Sequence, residues 1–345
     1  MAEGAGTQDP ASDPRKTADL TGHDSAEAAL LEAWRASRLH HAWLLHGPRG
    51  VGKATLAYRF ARFLLAEDVA GEADARRGDG LAIDPASPVF HRIASGGHAD
   101  LLVLEPDRDP KTGAPKRGIG AENARRVDRF LALKPGEGRW RVVIVDTADA
   151  MNRHATNAVL KLLEEPPERV VFLLLSASPA RLLPTIRSRC RRLALQPLVA
   201  ADLGQVLRDR LPELGAKERA VLGRLAKGCP GQALDLAARG GLELQGRLSG
   251  LLDELPALDT ARLHALGDSL ARSGAEADFR TVGELLADWL AGQAKAAGAR
   301  RAELETWLGL WEKVSRLFAD TERYSLDRKQ VLLTAFAALQ HALRA

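Results

Sequence analysis

The chain has 345 residues, of which 46% are hydrophobic and 27% charged, a composition typical of a folded protein with two or three domains. Its formal net charge of +4 allows contact with nucleic acid, but a solvated basic surface explains this charge equally well. With only two cysteines, Cys190 and Cys229, the chain cannot build a zinc module on cysteine ligands, and we expect a reducing compartment. The sequence shows neither a membrane-spanning run nor a signal-peptide segment, so we expect a cytoplasmic protein without a membrane partner.

Apolar runs alternate with helical spacings through residues 21–197, whereas residues 1–20 are polar and predict a disordered tail. Continuous apolar runs predict strands at 42–45, 100–104, 141–145 and 170–175. Apolar residues three or four positions apart predict helices at 21–38, 55–65, 121–133 and 152–163. Turn-rich polar segments at 75–88 and 105–120 predict irregular structure, and a short helix leads into a basic run at 187–192. Apolar strands that alternate with helices predict an α/β domain with a parallel sheet covered on both faces.

The strand signal ends at Pro197, and the remaining residues show only helical spacing. Short helices, interrupted by the break GCPG at 228–231, predict a small helical domain over 198–244. Residues 245–345 predict an all-helical domain. We interpret two apolar stripes of this last domain as ordinary packing faces: Leu304, Leu308, Trp311, Val314 and Phe318, and Leu332, Phe336 and Leu339.

A glycine-rich loop follows the first predicted strand and opens a helix, and it reads HGPRGVGKAT. Its glycines allow backbone amides to face phosphate groups, and its lysine can contact the β and γ phosphates. The predicted phosphate-binding residues are Gly47, Pro48, Gly50, Val51, Gly52, Lys53, Ala54 and Thr55. The alternative is a glycine turn of purely structural use. Ala54 stands where a Ser or Thr hydroxyl normally holds magnesium, and Thr55 points to another side of the helix.

The predicted strand RVVIV ends at Asp146, a position that suits a second magnesium anchor beside a phosphate loop. The next residue is Thr147, where ATPases of this kind commonly carry a Glu that activates water. Asp149 lies close by in sequence and can hydrogen-bond locally, but it does not occupy that position. The pattern therefore predicts a degenerate site for ATP, with magnesium bound only if ATP binds. It also predicts that hydrolysis is absent or very slow.

Three segments, in this order, resemble the AAA+ clamp-loader subunits: LHHAWLLHGPRGVGKAT, RVVIVDTADAMNRHATNAVLKLLEEPP and LLPTIRSRCRRL. Within that family they look like the delta-prime type of subunit of bacterial DNA polymerase III. The most specific pieces are the run NAVLKLLEEPP at 157–167 and the triplet Ser188-Arg189-Cys190. The resemblance covers residues 21–197 by motif and the remaining residues by domain layout alone.

The resemblance implies an AAA+ P-loop domain, a small helical lid domain and a C-terminal helical collar domain that joins subunits into a ring. It implies a stator of the polymerase III holoenzyme with little or no ATPase activity of its own. The expected partners are other AAA+ subunits of the motor and delta types, the sliding clamp and, through the complex, primed DNA. Arg189 matches the position of a catalytic arginine that acts in trans on the ATP of a neighbouring subunit. Without the resemblance, Arg187, Arg189, Arg191 and Arg192 are better explained as a solvated basic segment.

Several positions depart from the pattern of the active family members. The turn at 228–234 lacks the arginine that senses the γ-phosphate, and the peripheral four-cysteine zinc module is missing. Ser176 is a candidate for the polar residue after the fourth strand. Cys190 belongs to the triplet and is interpreted as a structural thiol, because no His–acid arrangement supports a nucleophile. Glu164 and Glu165 are expected to end a helix and make contacts without catalysis.

Two other functions remain open at the level of the sequence. The first is an ATP-hydrolysing motor subunit of the same clamp-loader family, which would use Lys53 and Asp146. The chemistry at Ala54 and Thr147 argues against it. The second is a stand-alone AAA+ factor in DNA binding or recombination, which would bind DNA tightly without clamp-loader partners.

Overall fold

The computed structural model describes residues 13–66, 79–106, 118–136, 138 and 140–344. The chain divides into two compact units, residues 1–235 and residues 236–345. The first unit contains the predicted α/β domain together with most of the predicted small helical domain. The finer division of this unit at residue 197 stays a prediction.

The described part of the first unit contains one sheet of five parallel strands in the order β2-β3-β4-β1-β5. The strands are β1 (Ala42–His46), β2 (Leu101–Leu104), β3 (Arg141–Val145), β4 (Val170–Ser176) and β5 (Arg191–Ala194). Both β3 and β4 are buried along their whole length, which explains why they read as continuous apolar runs. The parallel α/β prediction is therefore confirmed.

Helices cover both faces of this sheet. The elements on one face are α1 (Asp24–Arg35), α2 (Lys53–Ala66) and α3 (Pro88–Ala94), and those on the other are α4 (Ala121–Ala132), α5 (Arg153–Glu164) and α6 (Pro184–Ser188). Successive strand residues join opposite clusters: Leu173 packs with the first set of helices, whereas Phe172 and Leu174 pack with the second. The loops at the carboxyl ends of the strands are therefore held from two sides.

Strand β5 and helix α3 were not predicted from the sequence. β5 lies within the segment that the sequence marks only as a basic run, and it pairs through its backbone with β1 at the edge of the sheet. Because an edge strand needs one neighbour and no apolar face of its own, exposed arginines are compatible with it. Arg191 also lies over the ring of Trp43, 5.0 Å from its centroid. In α3, the Ser87 side chain caps the helix by accepting a hydrogen bond from the Phe90 N–H.

The prediction of a disordered tail is wrong for residues 13–20, while residues 1–12 lie outside the described part of the chain. The guanidinium of Arg62, in α2, is only 1% exposed and donates to the carbonyls of Arg15 and Thr17 over 3.0 and 2.7 Å. Leu20 packs against the core beneath the first face of the sheet. A buried guanidinium requires acceptors, and this polar segment supplies them.

The remaining helices are α7 (Ala200–Arg210), α8 (Ala216–Leu225), α9 (Pro230–Ala238), α10 (Gly241–Asp253), α11 (Thr260–Ala271), α12 (Glu276–Ala297), α13 (Arg301–Tyr324) and α14 (Arg328–Arg344). In the second unit, Phe279 and Phe318 stack with ring centroids 4.6 Å apart inside its hydrophobic core. The packing-face interpretation is wrong for Leu308 and Trp311, which are 47% and 40% exposed. These two residues lie on the outer side of α13, because its inner side already buries Leu310, Val314 and Phe318.

Within the described ranges, no helix combines the length and the apolar character needed to cross a lipid bilayer.

Candidate nucleotide site and exposed arginine

The glycine-rich loop lies between β1 and α2, at the carboxyl edge of the sheet, as the sequence predicts. Gly47, Gly50 and Gly52 have φ angles of +155°, +74° and +119°, which other residues adopt only with strain. The Gly47 N–H donates to the carbonyl of Ser176 at the end of β4 over 3.3 Å. The loop therefore has the strand–loop–helix form of a phosphate cradle, anchored to two strands.

The loop is packed from outside by two segments of the first unit. The N–H of Gly231, in the first turn of α9, donates to the Gly50 carbonyl over 2.8 Å. A Cβ on Gly50 would lie only 2.5 Å from the backbone nitrogen of Gln232, so only glycine permits this contact. On another side, Nε2 of the buried His23 lies 2.8 Å from the carbonyl oxygen of Val51. The turn at 228–234, singled out because it lacks an arginine, is thus a structural neighbour of the phosphate loop.

The ammonium of Lys53 binds the carbonyls of its own loop. Its Nζ donates to the carbonyl oxygens of Gly47 and Pro48 over 2.8 and 2.7 Å. Burial lowers the pKa of Lys53, and the negative charges of Asp146 and Asp149 oppose that shift. The charge of Asp146 therefore acts on Lys53, the lysine that the sequence assigns to the same candidate site. Two of the three N–H donors of this ammonium are therefore engaged by its own loop.

Two carboxylates lie at the ends of neighbouring strands. Asp146 directly follows β3, and burial followed by the nearby charge of Glu105 raises its pKa, against the effect of Lys53. Glu105 directly follows β2 and accepts a hydrogen bond from Nη2 of Arg15 over 2.8 Å. The same arginine donates from Nε to the hydroxyl of Tyr58 over 2.9 Å. Sequence reasoning missed Glu105, although its position directly after an apolar strand, like that of Asp146, was a usable signal.

Positions 54 and 147, which depart from the pattern of an active ATPase, place no catalytic group in the structure. The methyl group of Ala54 packs against the hydrophobic core and offers no oxygen. Thr147 has φ of +66°, an uncommon conformation for a β-branched residue, and its Oγ1 lies 3.4 Å from Oδ1 of Asp146. Asp149 accepts a hydrogen bond from the Ala177 N–H over 3.2 Å, a partner distant in sequence and not the local one expected for it. Position 54 therefore offers no hydroxyl ligand for magnesium, and position 147 offers no carboxylate to activate water.

Arg189 lies apart from the loop, at the end of α6. Its Nη2 lies 2.8 Å from Oε1 of Glu164, and its Nη1 donates to the Thr185 carbonyl over 3.0 Å. The arginine side chain is 35% exposed. Glu164 is the last residue of α5, so the expected contact role of this residue is confirmed. The guanidinium is therefore both fixed in place and accessible from solvent.

Both cysteines are unpaired and buried, at 8% exposure for Cys190 and 2% for Cys229. Burial raises the pKa of the Cys190 thiol to about 12, and burial also raises the pKa of Cys229. Only a thiolate is a strong nucleophile, so neither residue is suited to covalent chemistry at neutral pH. The structural-thiol interpretation of Cys190 agrees with this burial.

We expect both thiols of the native chain to react slowly with iodoacetamide at pH 8. Because burial raises the pKa of Cys190 to about 12 from the 9.0 of an ordinary thiol, its thiolate is depleted on the order of a thousandfold. Mass spectrometry of alkylated peptides over time measures this, with the urea-unfolded chain as the control. Labelling of native Cys190 at the unfolded rate contradicts the prediction.

A phosphate loop after β1, an acidic residue after β3 and a parallel sheet in the order β2-β3-β4-β1-β5 define an α/β protein of the AAA+ P-loop class. The model of a protein family described as DNA polymerase III, delta subunit, matches residues 22–199. The chain therefore belongs to the DNA polymerase III clamp-loader family, which confirms the family predicted from the motifs.

Subunits of DNA polymerase III named delta', tau and tau/gamma are similar to the chain. The delta' subunit of DNA polymerase III from Pseudomonas aeruginosa is 36% identical over 201 residues, covering 58% of this chain and 56% of that protein. The tau subunit from Escherichia coli is 30% identical over 309 residues, covering 88% of this chain and 44% of that protein. The tau/gamma subunit from Haemophilus influenzae is 32% identical over 225 residues, covering 64% of this chain and 30% of that protein. The chain thus spans between 30% and 56% of the length of these relatives.

Proposed function

We propose that this chain is a delta-prime-type stator of a clamp loader, which supplies Arg189 to the ATP bound by a neighbouring motor subunit. The observation that carries the proposal is an asymmetry between two places in the first unit. The chain's own nucleotide site lacks the hydroxyl that holds magnesium and the carboxylate that activates water, whereas Arg189 is held by Glu164 and accessible at the end of α6. An arginine that acts on the ATP of another chain does not require a complete nucleotide site in its own chain.

Three features of the chain's own site support weak ATP binding or none, and little hydrolysis. Lys53 is held by the carbonyls of Gly47 and Pro48. Ala54 carries no ligand for magnesium, and Thr147 cannot accept the proton of an attacking water at neutral pH. Tight binding of ATP by the rest of the loop would not restore hydrolysis, because the missing hydroxyl and carboxylate act in the chemical step itself.

The chemistry of arginine supports its role in trans. The guanidinium is planar and permanently charged, and its donors match the oxygens of a γ-phosphate as charge spreads in the transition state. Arg189 meets the requirement of access, with 35% of its side chain exposed. Its neighbours Arg191 and Arg192 belong to β5 at the edge of the sheet, where both side chains are exposed.

The proposed setting is the cytoplasm, in a ring with motor and delta-type AAA+ subunits that opens a sliding clamp and places it on primed DNA. The match to a delta' relative and to a family described by the delta subunit supports this setting. The all-helical second unit would serve as the collar that joins subunits. The proposal includes neither a zinc site nor a membrane partner.

A second candidate is an ATP-hydrolysing motor subunit of the same family. The matches to tau and tau/gamma subunits, and the effect of the Asp146 charge on the pKa of Lys53, favour it. The losses at Ala54 and Thr147 oppose it. The two candidates differ in what the isolated chain does with ATP.

We expect the purified chain alone to hydrolyse ATP no faster than its Lys53→Ala variant. The physical reason is that the hydroxyl at position 54 and the carboxylate at position 147 are missing from the wild type already. A phosphate-release assay measures turnover, and an ATP titration with and without magnesium measures binding. Rapid turnover that disappears in Lys53→Ala would establish the motor subunit instead and reject the stator.

A further inference from the structure

The carboxylate of Glu164 is the one side-chain ion-pair partner that the described residues give Arg189. We propose that Glu164 positions Arg189 for the ATP of the neighbouring subunit, holding the guanidinium in its working orientation. This inference rests on the function proposed above and adds a second residue to it. Glu164 itself acts through Arg189 and not on the nucleotide.

The guanidinium keeps free donors while it is held. Nη2 engages Oε1 of Glu164 over 2.8 Å, and Nη1 donates to the carbonyl of Thr185 over 3.0 Å. A guanidinium carries five N–H donors, so these two contacts leave about three for a phosphate. Arg189 therefore does not have to leave Glu164 in order to reach a ligand.

Both partners of the pair are attached to buried anchors. Helix α5 begins at the Asn152 cap, whose side chain accepts from the Ala155 N–H over 2.9 Å, and it ends at Glu164 next to Leu163, which is only 2% exposed. On the arginine side, Ile186 of α6 is fully buried, and Cys190 is 8% exposed. Glu164 and Arg189 thus stand at the ends of two helices fixed by packing, which keeps their separation constant.

Pre-organisation is the physical benefit of such a contact. A free arginine side chain loses much rotamer entropy when it is fixed against a phosphate. The pair with Glu164 removes part of that freedom before the neighbour's ATP arrives, so less is lost in the transition state. The side chains of Glu164 and Arg189 are 45% and 35% exposed, so the pair also avoids the large desolvation cost of a buried ion pair.

The test uses the chain reconstituted with its motor and delta-type partners, a sliding clamp and primed DNA. Glu164→Ala is expected to lower kcat of the complex for ATP about two- to fivefold at the site that Arg189 faces, the range that an exposed ion pair is worth. KM for ATP stays unchanged, because the lost contact matters in the transition state. Glu164→Gln keeps an acceptor oxygen and restores most of the rate. The matched control is Glu165→Ala, which removes the adjacent exposed carboxylate.

The double variant Glu164→Ala with Arg189→Ala is expected to be no slower than Arg189→Ala alone. A Glu164→Ala complex at or above the wild-type rate overturns the positioning role, provided that Arg189→Ala is slow. A normal rate for Arg189→Ala overturns the proposed function itself, so the two failures are distinguishable. A Glu164→Ala loss that Glu165→Ala equals, or that Glu164→Gln does not relieve, also overturns the positioning role, since a general change at the end of α5 then explains it.

Discussion

Replacing Arg189 with alanine is expected to slow ATP hydrolysis on the order of a thousandfold at the neighbouring site, while the chain still folds and assembles. The loss follows from the removal of a fixed positive charge at the point where negative charge spreads over the γ-phosphate. The fold survives because the side chain is partly exposed and its guanidinium, among the residues that the structure describes, contacts Glu164 and Thr185. In a complex with several ATP sites, total turnover falls by the share of this one site.

Steady-state ATPase and clamp-loading rates of the reconstituted complex measure this effect. Arg181→Ala is the matched control, because it removes an exposed arginine from the short turn before α6. Arg189→Lys is expected to remain slow, since an ammonium lacks the planar fork of the guanidinium. Normal hydrolysis and loading with Arg189→Ala would show that the arginine has been assigned the wrong role.

Replacing Gly47 with alanine is expected to lower the free energy of unfolding of the first unit by about 2–4 kcal/mol. Gly47 has φ of +155°, and a Cβ there would lie 2.3 Å from the carbonyl oxygen of Leu195. That oxygen belongs to a segment already fixed, since the Leu195 N–H donates to the carbonyl of His46 over 2.7 Å. Relief of the clash therefore requires movement of backbone on both sides.

Urea denaturation followed by far-ultraviolet circular dichroism measures the loss, and hydrogen exchange in the peptides of β1 localises it. Gly97→Ala is the control, because a Cβ at that exposed glycine would meet only ordinary contacts, the nearest at 3.5 Å from the Ser95 hydroxyl. Equal stability of the two variants would mean that the loop adapts at no cost. It would also mean that the first glycine of the motif serves phosphate binding alone.

Much of the first unit was predictable from residues close together in the chain. The strands that became β1, β3 and β4 are buried on both faces, so each is a continuous apolar run that needs no knowledge of its partners. The glycine loop was equally readable, since its spacing and its place between a strand and a helix are local properties. β5 escaped prediction because an edge strand is specified by the backbone of β1, which the run of arginines does not reveal.

For the candidate site, too, some features follow from the sequence and others only from the tertiary structure. The sequence by itself determined which chemical groups are present: the lysine at 53, the carboxylate at 146, the missing hydroxyl at 54 and the arginine at 189. Only the tertiary structure decided what those groups contact. Lys53 meets its own loop, Gly50 meets Gly231 and Arg189 meets Glu164. The last two pairs join residues far apart in the chain, and such contacts depend on how packed helices and strands bring their ends together, which no local pattern encodes.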